Sequence, residues 1–161
     1  MSDAITLRPV ADADVALIAL WLAEAYILKW YHDADAWLTE INARHSGFAW
    51  IHHHIVMHDK TPIGFCQYYD CFDAQSLEDW YCVKQRGETF SIDYLIGERR
   101  YLKKGYGKQI VCQLTQLIKT QEKAAIQIIA QPEPENFASV HVLLANGYTY
   151  DSKANYYCKL L

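Results

Sequence analysis

The sequence lacks a long apolar run, a basic excess and a signal-like N-terminus, and each absence excludes a class of protein. No uninterrupted apolar stretch reaches the roughly 20 residues of a membrane-spanning helix. The N-terminal stretch MSDAITLRPV lacks a basic region followed by an apolar one, which is the pattern of a secretory signal. The net charge of −4 argues against general nucleic-acid binding. We therefore predict a soluble, cytoplasmic protein without nucleic-acid or membrane partners.

The cysteines show no pattern of a site. There are five, and no two are spaced as C-x-x-C. An odd number without paired spacing favours neither a disulfide framework nor a zinc knuckle. We expect free thiols in a reducing compartment, mostly packed as small apolar groups. The five are Cys66, Cys71, Cys82, Cys112 and Cys158.

Three consecutive histidines raise the question of a metal site. On a strand, His52 and His54 share one face and His53 points to the other. Two ligands are too few for zinc, and no carboxylate or cysteine completes a set at clear spacing. We predict histidines on the surface or on a sheet face, and no metal.

The order of predicted elements indicates an α/β fold with one mixed sheet. With 161 residues, of which 52% are apolar, the chain suits one domain spanning residues 1–161. Alternating and apolar segments predict a strand, two helices, three strands, a helix, a strand, a helix and a terminal hairpin. In chain order, these segments are ITLRP, DADVALIALWLAEAYI, KWYHDADAWLTEINARH, FAWIHHHIVMHD, IGFCQYYDCF, TFSIDYLI, the helix from Gly107, AIQIIA, QPEPENFASVHVLLANGY and YTYDSKANYYCKLL.

The stretch YLKKGYGKQIVCQL places a glycine pair at the start of a helical apolar pattern. The first N–H groups of a helix have no partner within it, and the helix dipole makes that end positive. Gly105 and Gly107 let an anion approach without a Cβ in the way. Three lysines add charge: Lys103, Lys104 and Lys108. The stretch favours either a phosphate site or a surface turn with solvated lysines.

Two nucleotide-binding motifs that also use glycine are excluded by their spacing. The pattern G-x-x-x-x-G-K-[ST] fails because Gln109 follows Lys108 and no glycine lies five residues before Gly107. The pattern G-x-G-x-x-G fails because its third glycine position is Ile110.

Two motifs resemble the GNAT superfamily of acetyl-CoA-dependent N-acetyltransferases. The segment LKKGYG is similar to the pyrophosphate loop of that family, [QR]-x-x-G-x-[GA], with Leu102 in place of Gln or Arg. The segment NFASVHVLLANGY is similar to a later helix of the family, through Asn136, Ser139, Gly147 and Tyr148. The predicted element order also resembles the GNAT acyl-CoA N-acyltransferase fold.

The resemblance is closest to aminoglycoside 6'-N-acetyltransferases and covers nearly the whole chain. Its segments are ITLRP, ALIALWLAEAYILKWY, TPIGFCQYY, SIDYLIGERRYLKKGYGKQIV and QPEPEN. One departure is Gln131, which stands where that group has an Asp before PEPEN.

The resemblance implies that acetyl-CoA is the co-substrate and assigns residues to it. Its diphosphate would lie on the N–H groups of the glycine turn, and its pantetheine arm would pair with the strand end near Leu95 and Ile96. Asn136 would hydrogen-bond the arm, and an N–H at the same strand end would hold the thioester oxygen. The turn residues are Lys103, Lys104, Gly105, Tyr106, Gly107 and Lys108.

Acyl transfer to an amine requires that the amine lose a proton. Asp93, in FSIDYLIG, matches the Asp that has this role in the resembled group. The alternative is that its carboxylate only anchors the ammonium. The position at which the family often has a Tyr as general acid is Leu143 here, so no acid is assigned. Four tyrosines remain as substitutes, unless none is needed: Tyr148, Tyr150, Tyr156 and Tyr157.

Acidic and aromatic residues are predicted to flank the acceptor amine. Carboxylates suit a polycationic acceptor through charge-assisted hydrogen bonds, and flat rings suit a sugar or amine. The predicted substrate contacts are Trp30, Tyr31, Asp33 and Asp79, and the wider set adds Asp70, Asp73, Glu78, Trp80 and Tyr81.

The sequence thus predicts an N-acetyltransferase that acts on a primary amine of an aminoglycoside-like substrate, as a monomer or homodimer. One alternative is a GNAT enzyme for another small amine or for a hydroxylamine in siderophore assembly. Another is a non-catalytic module that binds coenzyme A.

Overall fold

The computed structural model describes residues 3–78 and 83–161, which form a seven-stranded mixed sheet between two helical layers. The strand order is β1-β2-β3-β4-β5-β7-β6. Only β4 and β5 pair in parallel; the other neighbouring strands are antiparallel. The strands are β1 (Ile5–Pro9), β2 (Ile51–His58), β3 (Thr61–Asp70), β4 (Thr89–Ile96), β5 (Gln127–Ala130), β6 (Thr149–Asp151) and β7 (Tyr156–Leu160).

The helices divide between the two faces of the sheet. They are α1 (Val15–Leu22), α2 (Ala25–Tyr31), α3 (Ala34–Asn42), α4 (Cys71–Ala74), α5 (Tyr106–Gln121) and α6 (Phe137–Ala145). Short 3-10 turns precede α1 and α5. Within residues 3–78 and 83–161, none of these helices combines the length and apolar character needed to cross a bilayer. The predicted α/β class and the mixed sheet are confirmed.

Two apolar clusters fix these layers. One packs α5 and α6 against one face of the sheet through residues such as Ile110, Leu114 and Phe90. The other packs α1, α2 and α3 against the opposite face and includes Trp21 and Leu95. Burying each such side chain contributes about 1.5–3 kcal/mol. Side chains of β4 therefore alternate between the α5–α6 layer and the α1–α3 layer.

The helix predicted over residues 12–27 is broken, and that prediction was wrong in its length. The helix α1 ends at Leu22, Glu24 is extended, and α2 starts at Ala25. No Gly or Pro marks the break. Tertiary contacts explain it, because the Tyr26 hydroxyl donates to the Ile96 carbonyl at 2.7 Å, which requires α2 to turn toward β4. Packing overrides local propensity here.

Three other predicted boundaries also shift. Thr61 and Pro62 belong to β3 and not to the turn before it. Proline has no N–H to donate to the neighbouring strand, and a bulge between Val56 and Met57 of β2 accommodates it. The strand predicted through Phe72 ends at Asp70, whose carboxylate caps α4. The last helix starts after Asn136, so Pro134 is not in its first turn.

The parallel pairing of β4 with β5 is short, which opens the sheet. It covers only Thr89, Phe90 and Ser91 of β4. From Ile92 to Ile96, β4 pairs with β3 on one side, and no strand of the described residues pairs with it on the other. The result is a gap in the middle of the sheet, flanked by α2 and by the start of α6.

His53 gives the fold a pH dependence. It is 5% exposed, it stacks on Phe65, and neither ring nitrogen has a hydrogen-bond partner among the described residues. Burial, with smaller contributions from Arg44 and the neighbouring histidines, lowers the pKa of His53 from 6.5 to about 4. The fold therefore favours the neutral ring. The contribution of His53 to the free energy of unfolding is fully present above pH 6.5 and is lost as pH drops toward 4.

We expect His53→Phe to remove this dependence. Between pH 6.5 and 4 the free energy of unfolding should fall by about 2 to 3 kcal/mol less than in the parent, since no buried ring must be protonated. Urea denaturation at several pH values measures the difference, with the exposed His45→Phe as control. Equal slopes in parent and His53→Phe would contradict the assignment.

Candidate active site

The glycine turn forms the start of α5, as the sequence predicted. Gly105 is the residue before the helix and has φ of 86°, and no side chain caps the helix. The N–H groups of Tyr106, Gly107 and Lys108 therefore have no partner within the helix. Lys103 also adopts a positive φ, of 59°, which costs about 1 kcal/mol or more in a non-glycine residue. The start of α5 therefore offers backbone donors to a ligand in an adjoining cleft.

A cleft beside this turn, here called the glycine-turn cleft, has a volume of about 400 Å³. Its walls come from α2, the end of β4, the turn itself and the start of α6. Of the predicted residues it includes Leu95, Ile96, Lys103, Gly105, Tyr106, Gly107, Lys108 and Asn136. Lys104 is exposed and does not line the cleft.

The open side of β4 forms one wall of this cleft. The carbonyls of Tyr94 and Ile96 face it, where they accept hydrogen bonds from the hydroxyls of Tyr31 and Tyr26. The carbonyl of Leu95 faces β3 instead, because backbone groups alternate along a strand. The backbone donors and acceptors available to a ligand at this edge thus belong to Ile96 and Tyr94, and Leu95 contributes its side chain.

A second cavity, the junction cavity, continues from the first and has a volume of about 330 Å³. The two share Trp30, Tyr31, Tyr94, Asn136 and Ser139. The Asn136 side chain caps α6 by accepting the Ser139 N–H at 3.2 Å.

The junction cavity is spanned by a pair from two different elements. His32, just after α2, contacts the carboxylate of Glu133 in the loop between β5 and α6. Both residues line the cavity. The pair therefore ties together the two walls of the gap between β4 and β5.

A third cavity, the acidic pocket, lies on the α3 side of the sheet and has a volume of about 480 Å³. It shares Trp37, Tyr69, Asp93 and Gln131 with the junction cavity. Its carboxylates are Glu40, Glu78 and Asp93, and further lining residues include Trp50 and Gln67. The three cavities form one groove through the gap in the sheet.

Asp93 stands where the junction cavity meets the acidic pocket. It is half-buried, and the Gln67 amide donates to its Oδ2 at 3.0 Å. Burial raises the pKa of Asp93 to about 6, the bond from Gln67 opposes this, and Glu78 adds to it. A carboxyl with this pKa is an effective proton acceptor near neutral pH.

Glu40 is a site residue that the sequence reasoning missed. It is half-buried in the acidic pocket, and burial, with the nearby charges of Asp93 and Glu78, raises its pKa to about 7. Trp37, three residues earlier on the same face of α3, was missed as well, so no predicted contact pointed to Glu40. Gln67, Trp50 and Tyr69 were also missed, since nothing in their strand or loop pattern separates them from core residues.

The structure separates the predicted acceptor residues into three groups. Trp30 and Tyr31 line the groove, and so does Glu78. Asp33 caps α3 through the Ala36 N–H at 3.1 Å, Asp70 caps α4, and Asp73 pairs with Arg86, and none of the three lines the groove. Asp79, Trp80 and Tyr81 lie outside the described residues.

None of the four tyrosines considered as substitute acids lines the three cavities of the groove. Tyr148 is 1% exposed in the core, where its hydroxyl meets Thr115 at 3.2 Å. Tyr150, Tyr156 and Tyr157 line a separate cavity. Leu143 does line the junction cavity, and it is 1% exposed.

The three consecutive histidines lie on the two faces of β2, as predicted. His52 and His54 both stack on Tyr68 from one face of β2, whereas His53 stacks on Phe65. No group of three or more potential metal ligands forms within residues 3–78 and 83–161. The described cysteines form no disulfide; Cys66 and Cys71 are buried, whereas Cys112 is exposed. Cys82 lies outside the described residues.

Comparison with known proteins identifies relatives of this arrangement. A family model described as an acetyltransferase (GNAT) domain matches residues 10–156. Aminoglycoside N(6')-acetyltransferase type 1 of Klebsiella pneumoniae is 24% identical over 157 residues, which cover 91% of this chain and 75% of that protein.

Solved structures share the fold at low identity. The aminoglycoside acetyltransferase AAC(6')-Ib in complex with coenzyme A superimposes with a TM-score of 0.80 at 21% identity, covering 98% of this chain and 95% of that one. Its complex with coenzyme A and kanamycin gives 0.79 at 21% identity and the same coverage. These likenesses establish the fold.

Proposed function

The chain belongs to the acetyltransferase (GNAT) family and is an acetyl-CoA-dependent N-acetyltransferase, and on that premise we propose that it acetylates a primary amine of an aminoglycoside-like polycation. The observation that carries the proposal is the acidic pocket next to Asp93. A pocket that holds two further carboxylates, Glu40 and Glu78, beside the proton acceptor suits an acceptor with several ammonium groups. The relative from Klebsiella pneumoniae, an aminoglycoside N(6')-acetyltransferase, supports this class of acceptor.

The glycine-turn cleft fits the carrier. We assign the diphosphate to the N–H groups at the start of α5, where a Cβ on Gly105 would meet nothing within 4 Å. We assign the pantetheine arm to the open edge of β4 at Tyr94 and Ile96, with Asn136 at the opposite wall. Bound there, acetyl-CoA supplies an activated acetyl group.

Asp93 is our proposed base. The carboxylate takes the proton that the amine must lose, and Gln67 holds it in orientation through the 3.0 Å bond. Its place between the junction cavity and the acidic pocket lets it reach an amine that enters from the acidic side. Trp37 and Tyr69 offer flat surfaces beside it.

A panel of acceptors tests the proposal. With acetyl-CoA fixed, release of free thiol is measured with aminoglycosides that carry or lack a 6'-amine, with linear polyamines and with hydroxylysine. We expect release only with aminoglycosides that carry the free 6'-amine. Release with the polyamines or hydroxylysine alone would replace the proposed acceptor, and silence with all amines would favour a module that binds coenzyme A.

Glu40→Gln should weaken the acceptor selectively. Removing the charge while keeping the shape is expected to raise KM for the polycationic acceptor about tenfold, the cost of one charge-assisted hydrogen bond. KM for acetyl-CoA should not change, because Glu40 lines only the acidic pocket. Steady-state kinetics with each substrate varied in turn measures both, and an equal rise in the two KM values would argue against a contact with the acceptor.

A further inference from the structure

Tyr94 follows Asp93 on β4 and points to the opposite side of the sheet. Asp93 lies on the α3 side with Gln67, whereas Tyr94 packs with the cluster beneath α5 and α6. The Tyr94 hydroxyl lies 3.2 Å from Ser139 Oγ at the start of α6. A Cβ on Gly107 would lie 3.7 Å from Cε2 of Tyr94. Tyr94 therefore lies next to the proposed base in sequence, and its side chain extends toward the glycine turn and the start of α6.

Few hydroxyl groups occupy this position. Of the described residues that line both the junction cavity and the glycine-turn cleft, three carry a hydroxyl: Tyr31, Tyr94 and Ser139. The Tyr31 proton is already bonded to the Tyr94 carbonyl. The Tyr94 hydroxyl donates to Ser139 Oγ, an uncharged side-chain acceptor that a thiolate can outcompete, and a phenol is a better donor than an aliphatic hydroxyl. The Tyr94 phenol is thus the best placed donor at the junction.

Acetyl transfer creates a need for such a donor. When the C–S bond breaks, negative charge gathers on sulfur, and a hydrogen bond there stabilises the departing group. Leu143 lines the same cavity but has no polar atom in its side chain.

We propose that the Tyr94 hydroxyl, which otherwise donates to Ser139 Oγ, redirects its hydrogen bond to the coenzyme A sulfur as the C–S bond breaks. The electron pair of that bond stays on sulfur, and the amine proton goes to Asp93. Tyr94 keeps its proton, and the thiolate takes one from solvent. Burial raises the pKa of Tyr94, which keeps the phenol protonated and able to donate at neutral pH. The inference rests on the acetyl transfer proposed above and not on the identity of the acceptor.

The test is the titration of the thiol of bound coenzyme A, with no acceptor present. The ultraviolet absorbance of its thiolate is followed against pH, and the spectrum of the same protein with desulfo-coenzyme A is subtracted so that protein cysteines cancel. A hydrogen bond to the thiolate lowers the thiol pKa. Tyr94→Phe should therefore titrate about one pH unit higher than the parent.

Tyr148→Phe is the matched control, since it removes a buried phenol hydroxyl that lines none of the three groove cavities. Its bound thiol should titrate like that of the parent. The proposal would be overturned if the pKa of the bound thiol in Tyr94→Phe equalled that in the parent, or if Tyr148→Phe raised it by as much as Tyr94→Phe does. Neither outcome depends on which amine is acetylated, so a failed acceptor panel leaves the proposal standing.

Ser139→Ala gives a second measurement, which decides the matter if Tyr94→Phe fails to fold. With the competing acceptor removed, the phenol bonds sulfur alone, and the bound thiol should titrate below the parent value. An unchanged thiol pKa in Ser139→Ala would then refute the role of the pair.

In turnover, Tyr94→Phe should lower kcat about tenfold. The fall of kcat/KM at acidic pH, which belongs to the base Asp93, should stay at the same pH.

Discussion

Asp93→Asn is expected to lower kcat/KM by about 10²- to 10⁴-fold, the range attributed to a positioned general base. The amide fits the same space and can still meet Gln67, but it cannot take a proton from the amine. Affinity for coenzyme A should remain, because Asp93 does not line the glycine-turn cleft. A large loss of turnover with unchanged carrier binding would separate chemistry from folding and from carrier recognition.

Steady-state kinetics and calorimetry with coenzyme A measure the two quantities. Asp151→Asn is the control, because it makes the same chemical change at the end of β6, away from the groove. There the Asp151 carboxylate accepts hydrogen bonds from the N–H groups of Lys153 and Ala154. Turnover of Asp93→Asn within a few fold of the parent would remove Asp93 from the mechanism.

The pH profile gives an independent view of the same carboxylate. Only ionised Asp93 accepts a proton, and burial raises its pKa to about 6. In the parent, kcat/KM should therefore fall as pH drops through about 6, and it should be higher on the alkaline side of that value. Asp93→Asn should lose this limb, and a limb that persists in the variant would belong to another group.

Gly64→Ala is expected to lower the free energy of unfolding by about 3 kcal/mol, at the high end for an overpacked site. A Cβ on Gly64 would lie 2.3 Å from the Leu95 carbonyl oxygen and 3.3 Å from the Ile96 Cα. Both atoms are backbone, so no side chain can rotate away. Relief requires a shift of β4, and that shift would move the edge assigned to the pantetheine arm.

Urea and thermal denaturation measure the first effect, with Tm expected about 6–12 °C lower for a chain of this size. Coenzyme A affinity should fall in the same variant. Gly47→Ala is the control, because a Cβ there meets nothing within 4 Å and its φ lies outside the left-handed region. If Gly64→Ala stayed within 0.5 kcal/mol of the parent, about the usual effect of a surface substitution, the close packing of β3 on β4 would be disproved.

The carrier half of the candidate site was predictable because it is local in sequence. The turn at 103–108 and the helix that follows lie in one continuous stretch, and the rules for helix starts apply to them directly. Strand β4 also has the bounds of the predicted segment TFSIDYLI. Local patterns decide local elements when the surrounding structure agrees with them.

The acceptor half of the candidate site was predictable only in part, because it is assembled from distant elements. Glu40 on α3, Gln67 on β3 and Glu78 after α4 meet only through the layering of α3 on the sheet. The predicted Asp33 has the residue type of a substrate contact, but its position before α3 commits it to the helix cap. Sequence gives the residue types and not the tertiary contacts that bring them together.

The hydroxyls of Tyr26 and Tyr31 have a consequence beyond the groove. A strand with unpaired backbone in the middle of a sheet is a template on which a foreign strand can add, and such templates promote aggregation. By bonding the Ile96 and Tyr94 carbonyls, the two phenols cover this template with side chains of the same chain. The gap thus remains accessible to a ligand that competes for those carbonyls, while intermolecular strand addition is disfavoured.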